Sequence, residues 1–420
     1  MNNGLQLCDS QRLNICYERN EFMIKIEHDR LLEWTTFLKD VFICSLGAYG
    51  GPEAHYGVFT EQMVIKKKYL TEEELVEFIA LTGILPGPSS TQTIVAIGYK
   101  RGGPFLALLT MLVWAFPVLT IMTLLSFVGN FFDTINLSLD GLRYIGPMAV
   151  GFIFVAAYRI GSKVASDKIT LLLLLLGGIT TYFMRHPFIY PIVLLFGGAI
   201  SIFTSKEKGL WNHIKINPPW KYLLAFVMFA LSGIILNFIW DNKFIQLFES
   251  FYRYGYLVIG GGQIVVPLMY SELVELKGYL TNSEFLTGFG LVQGLPGPMF
   301  SFSAYAGGMA ARGGSVWTQI IGAFISGISI FLPGLLLIYF IYPIWEKIKQ
   351  IKGIKISLKG ISAVAGGLIT VSGIILMQKS GIQIDNIIVT CLTTTLLLFK
   401  KIPAPIIVIG VLLVGFLLPM

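Results

Sequence analysis

Leu85-Pro86-Gly87-Pro88 and Leu295-Pro296-Gly297-Pro298 decide how this chain is read. The first follows Thr71-Glu72-Glu73-Glu74 and the second follows Thr281-Asn282-Ser283-Glu284, at the same distance along. Sliding the chain on itself by 210 residues pairs Gly50-Gly51 with Gly260-Gly261, and Tyr69-Leu70-Thr71 with Tyr279-Leu280-Thr281. After one inserted residue Arg101-Gly102-Gly103 meets Arg312-Gly313-Gly314. Residues 50–98 share fifteen identities in forty-nine positions with their shifted copy, far above what composition gives, so a duplicated unit is expected before any secondary structure is assigned.

Composition sets the medium. Of 420 residues 55% are hydrophobic and 13% charged, with a mean hydropathy of +0.72. Soluble globular domains do not reach these values. Apolar, Leu-rich runs near the length that spans hydrocarbon, about 20 residues, recur along the chain. They lack the alternation of a membrane barrel, so the fold class is an all-α polytopic membrane protein. A net charge of +7 would suit nucleic acid, but the lysines and arginines fall in short loops, where they read as topology signals. Cys8, Cys16, Cys44 and Cys391 have no CxxC spacing, so neither a metal site, a cofactor nor a disulfide framework is expected. Walker A, GxSxG and HExxH sequences are missing, which argues against ATP hydrolysis and against an intramembrane hydrolase.

In chain order, residues 1–34 read as a polar, cytoplasmic tail without a signal-peptide core. Residues 35–204 form the first repeat, 205–243 a connecting loop and linking helix, and 244–420 the second repeat. The first helix ends in the Gly-rich break at Gly50-Gly51-Pro52, and the second repeat breaks at Gly260-Gly261-Gly262. Each Leu-Pro-Gly-Pro then interrupts an apolar segment that either crosses as a broken helix or turns back as a re-entrant hairpin. Placing the basic loops 205–221 and 343–359 inside puts the N-terminus inside and the C-terminus outside, with about 13 segments if each broken element crosses once. The repeats are then inverted about an axis in the membrane plane. That scheme strands Lys66-Lys67-Lys68 outside, against the rule; with re-entrant elements the copies could instead be parallel.

Helices break inside a membrane only where the freed backbone groups are buried in protein or line a wet cavity. Paired breaks in two halves mark a substrate site near the midplane. Helix N-termini after Pro88 and Pro298, with the hydroxyls of Ser89 and Ser301, suit an oxyanion, and Gly50, Gly51, Gly260 and Gly261 add backbone donors. The candidate binding set is completed by Pro86, Gly87, Pro296 and Gly297 at the breaks, by the amides Gln92, Gln263 and Gln293, and by Glu53, His55, Arg101 and Arg312. Bland readings compete: small residues permit close helix packing, amides bridge helices, and cations at helix ends snorkel.

The series Gly50-Gly51-Pro52-Glu53-Ala54-His55, Leu85-Pro86-Gly87-Pro88, Gln92, Gly98-Tyr99 and Arg101-Gly102-Gly103 resembles the chromate ion transporter family. Gln293-Gly294-Leu295-Pro296-Gly297-Pro298 and Gly307-Gly308 are similar to the C-terminal domain of its long, two-domain members, and the resemblance covers residues 35–420. It implies efflux of chromate and chromate resistance, sulfate as a competing or exchanged anion, and two homologous domains in opposite orientation. The second copy departs from the pattern with Gly262-Gln263 for Pro52-Glu53 and Val265 for His55, so the halves are expected to play unequal roles. A secondary transporter of chromate working by alternating access in the cell membrane is the leading expectation. A carrier of sulfate, molybdate or another anion stands beside it, and a non-transporting scaffold or sensor is the alternative of another class. A small oxyanion and membrane lipid are the expected partners, nucleic acid is not, and a homo-oligomer is compatible with the sequence.

Overall fold

The computed structural model describes residues 31–128, 139–184, 189–207, 209–211, 217–258, 265–399 and 402–417. Among them every regular element is a helix. Five helical stretches are long and apolar enough to cross a membrane: Ser89–Leu125, Ile145–Val164, Trp220–Ile239, Val316–Ile348 and Lys352–Ser380. Shorter apolar helices are Lys168–Phe183, Ile189–Phe203, Ile384–Leu398 and Ala404–Leu417.

The first half opens with α1 (31–47), the Gly50-Gly51 break, and α2 (Pro52–Phe59), which runs into a π-helical turn, Thr60–Lys66. The pair forms a hairpin. Buried Asp40 on α1 accepts hydrogen bonds from Gln62 Nε2 at 2.8 Å and Tyr69 OH at 2.7 Å, and lies 3.2 Å from Lys67 Nζ. Next come α3 (Glu72–Ile84) and α4 (Ser89–Leu125), the latter kinked at Gly102-Gly103. Thr71 and Glu74 cap α3 reciprocally, each side chain taking the other's backbone N–H. Glu74 also pairs with Lys100, so the segment descends through α3, turns at Leu85-Pro86-Gly87-Pro88 and returns to its own starting side. The Leu-Pro-Gly-Pro element is thus a hairpin in the chain.

The other half repeats these devices. Helix α9 (Lys243–Leu257) and a π turn at Ser271–Leu276 are held together by Glu272 with Arg253 and Ser250. Thr281 and Glu284 form the same capping box, and Glu284 pairs with Arg312 across the Pro296-Gly297-Pro298 turn. Glycine is required at both turns: Gly87 has φ +132 and Gly297 φ +112. At these tips the halves meet reciprocally. Gly87 N–H donates to the Val258 carbonyl and Gly297 N–H to the Ala48 carbonyl, each at 2.7 Å, and each partner sits 210 positions from the other.

Around these hairpins stand α5 (Ile145–Val164), α6 (Lys168–Phe183), α7 (Ile189–Phe203), α8 (Trp220–Ile239) and, in the second half after α10–α15 (the helical segments between Val265 and Ile348), α16 (Lys352–Ser380), α17 (Ile384–Leu398) and α18 (Ala404–Leu417). Helix α16 is central because its glycines admit neighbouring backbone: a Cβ on Gly367 would sit 1.8 Å from the Leu174 carbonyl oxygen, and one on Gly360 2.2 Å from that of Gly197. Thr390 on α17 donates to the Pro147 carbonyl on α5 at 2.9 Å, so each half's outer helices clasp the other. Helix α8 is only 6% buried in its apolar window and lies on the outside of the bundle.

Candidate functional site

A cavity of about 730 Å³ opens where the hairpin tips meet. Gly50 and Gly51 enter it with φ of +88 and +89, which turns the chain sharply enough to start α2 at Pro52. No side chain caps α2, and its first-turn residues Glu53 and Ala54 line the cavity. Ser89, the first residue of α4, lines it too, and that helix is also uncapped after Pro88. Two helix N-termini, each with unsatisfied N–H groups and a positive dipole end, therefore face one space. The second half contributes Gln293, whose Nε2 is buried without a hydrogen-bond partner among the described residues, and Met299, the positional equivalent of Ser89.

Helix α5 supplies the charge. Arg159 and Lys163, one helical turn apart and so on one face, line the cavity together with Phe152 and Val155 deeper along the same helix. Lys163 Nζ lies 3.3 Å and Arg159 Nη1 4.0 Å from the Glu53 carboxylate. Sequence reasoning missed both cations as site residues. The available signal was an arginine near the end of an otherwise apolar 20-residue span, with a lysine four positions on.

Of the residues expected at the site, Gly50, Gly51, Glu53, Ser89 and Gln293 are brought together here. His55 sits behind them, 1% exposed, with Nδ1 2.9 Å from Ser90 Oγ, its ring edge-on to Trp114 at 5.4 Å, and Nε2 without a hydrogen-bond partner among the described residues. Gln92 donates from its amide nitrogen to the Pro86 carbonyl at 2.9 Å and packs against Gly87 and Gly334, while its Oε1 is buried without a hydrogen-bond partner among the described residues. Pro86, Gly87, Pro88, Pro296, Gly297 and Pro298 build the tips, and Ser301 is fully buried, its hydroxyl without a hydrogen-bond partner among the described residues. Arg101 and Arg312 do not line the cavity. Arg101 lies over the Tyr69 ring at 5.3 Å and Arg312 pairs with Glu284, both at hairpin bases. Gly260, Gly261 and Gln263 lie outside the described residues. No cluster of three metal-ligating side chains occurs among the described residues.

The arrangement is a pocket with two cations, one carboxylate, two helix N-termini and an orphaned amide donor, which is the chemistry of reversible anion binding. Comparison with known proteins agrees in kind. The chain is 25% identical over 369 residues to a chromate transport protein of Cupriavidus metallidurans, covering 87% of this chain and 88% of that one. It is 23% identical over 376 residues to a probable chromate transport protein of Synechococcus elongatus, covering 88% and 92%. An uncharacterized transporter of Bacillus subtilis is 29% identical over 183 residues, 42% of this chain but 97% of that one. No solved structure matches the chain. The profile described as "Chromate transporter" matches twice, over residues 35–203 and 245–416, and these relatives are named as transport proteins or transporters. The chain belongs to the chromate transporter family.

Proposed function

We propose that the chain is a secondary transporter that exports chromate, or a tetrahedral dianion like it, across the cell membrane by alternating access. The observation that carries this reading is the cavity itself: Arg159, Lys163, the α2 and α4 N-termini and the Gln293 amide converge where broken segments of both halves meet. Family membership and the names of the relatives favour chromate as the substrate. We further read residues 35–204 and 244–420 as inverted repeats. With the hairpins re-entrant, the five long and four shorter apolar stretches give nine crossings. Residue 31 then lies inside and residue 417 outside. Lys66, Lys100, Lys163, Lys221, Lys349 and Lys359 all fall inside, as the positive-inside rule asks, and Lys66-Lys67-Lys68 is no longer an exception. The contacts Lys349–Glu77 and Lys359–Asp167 support this arrangement, because each joins the two halves on that same face. The half-length relative in Bacillus subtilis favours the repeat as a unit.

Energetics favour export. A membrane potential contributes about 2.3 kcal/mol per charge per 100 mV, so a dianion leaving a negative cytoplasm gains about 4.6 kcal/mol per 100 mV without ATP. The test is uptake of labelled chromate into inside-out vesicles with and without an imposed potential, in competition with sulfate. Potential-driven accumulation above empty vesicles is expected. Its absence, from protein shown to be inserted and folded, would remove chromate export as the function.

A further inference from the structure

Among the described residues Glu53 is the only acidic side chain lining the cavity, and it occupies the features an incoming anion would use. Its carboxylate contacts Lys163 and Arg159, and it stands in the first turn of α2, where the dipole and free N–H groups favour negative charge. In the second half, sequence position 263 holds the neutral Gln263 where the first half has Glu53. Residues 360–378 of α16, the counterpart of α5 in chain order, carry no charged side chain. Cations and counter-charge are thus present together in one half and missing together in the other.

We propose that Glu53 is a built-in counter-anion: it holds Arg159 and Lys163 while the cavity is empty and yields them to a dianionic oxyanion, so that it sets how tightly the site binds. The inference rests on the cavity being the substrate site. A carboxylate that only supported the fold would not distinguish ligands by charge, whereas a displaced counter-anion must, because the repulsion relieved by removing it scales with the charge of the ligand. Its side chain is 53% exposed, and those of Arg159 and Lys163 are 35% and 73%, so the effect is that of screened charges and neutralising Glu53 should leave the fold intact.

The test is equilibrium binding of labelled chromate, under alkaline conditions where it is a dianion, and of the tetrahedral monoanion perrhenate. The full chain in lipid nanodiscs is compared with its Glu53→Gln, Arg159→Gln and Lys163→Gln variants. Glu53→Gln is expected to tighten chromate about fivefold and perrhenate about twofold, from a displaced unit charge about 8 Å away in a water-like dielectric. Unchanged or weaker chromate binding in Glu53→Gln, with both cation variants weakened, overturns the counter-anion role while leaving the site in place. Chromate binding unaffected by Arg159→Gln and Lys163→Gln overturns the site and the counter-anion role together.

Discussion

The turn at Gly297 is where the fold has least tolerance. Alanine there would keep φ near +112, a conformation that costs an L-residue about 1–3 kcal/mol. Its Cβ would sit 2.9 Å from Val118 Cγ1 and 3.4 Å from Ser45 Oγ. Val118 is fully buried and β-branched, so it has no alternative rotamer to retreat into. Overpacking of this kind adds about 1–3 kcal/mol. A shift of the loop to relieve it would stretch the Gly297 N–H bond to the Ala48 carbonyl, worth about 1 kcal/mol. Gly297→Ala should therefore lose about 2–5 kcal/mol of stability. The assay is reversible unfolding in mixed micelles, with Gly103→Ala as the comparison, since Gly103 has φ +72 but nothing within 4 Å of a Cβ. That variant should lose only the strain, about 1–3 kcal/mol, and less than Gly297→Ala. Equal losses for the two would refute the close approach of Gly297 to Val118, and a loss below about 0.5 kcal/mol for Gly297→Ala would refute the turn geometry as well.

Other outcomes follow from the same geometry. Arg159→Gln and Lys163→Gln should each raise the KM for oxyanion transport about five- to tenfold with unchanged expression, measured as flux in vesicles, because each removes one partly exposed cation. Asp40→Asn should cost about 2 kcal/mol in micelle unfolding, since this buried carboxylate accepts from Gln62 and Tyr69, whereas Glu61→Gln, which removes an exposed pair with Lys66, should cost less than about 0.5 kcal/mol. The hydrogen bond from Lys359, then that from the Thr170 backbone N–H, holds the Asp167 carboxyl at about 2 instead of 3.8. Its stabilisation is therefore complete above about pH 4 and lost as pH falls through about 2, and exposure limits it to about 1 kcal/mol or less. Stability curves of Asp167→Asn and the parent chain should converge at that acid end.

Much of the fold was legible because it is written in local rules. Thr71 with Glu74 and Thr281 with Glu284 are capping boxes by spacing, and Pro-Gly-Pro forbids a continuing helix, so both breaks could be placed from sequence. Whether a broken element crosses or turns back is different. It depends on pairs such as Glu74 with Lys100 and Asp40 with Gln62, which lie 26 and 22 residues apart and have no local signature. Gly50, Gly51, Ser89 and Gln293, which line the cavity, could be named from sequence because the duplication marks the breaks. Arg101 and Arg312 were favoured because both copies carry an arginine there, but at a hairpin base such a residue is retained for pairing with Tyr69 or Glu284. Arg159 and Lys163 are unduplicated, so a search for paired features passed over them. His55 and Gln92 reached neighbouring positions, each with one polar atom engaged, by Ser90 and by the Pro86 carbonyl, which only side-chain packing decides.

The central claim is that the oxyanion sits between the α2 N-terminus and the α5 cations. Chromium scatters anomalously near its absorption edge, so a crystal of the chain grown with chromate locates the metal of the substrate directly. The account predicts one anomalous peak among Gly51, Glu53, Ser89, Arg159 and Lys163. A peak at Arg312 or Arg101, with this cavity empty, would contradict it.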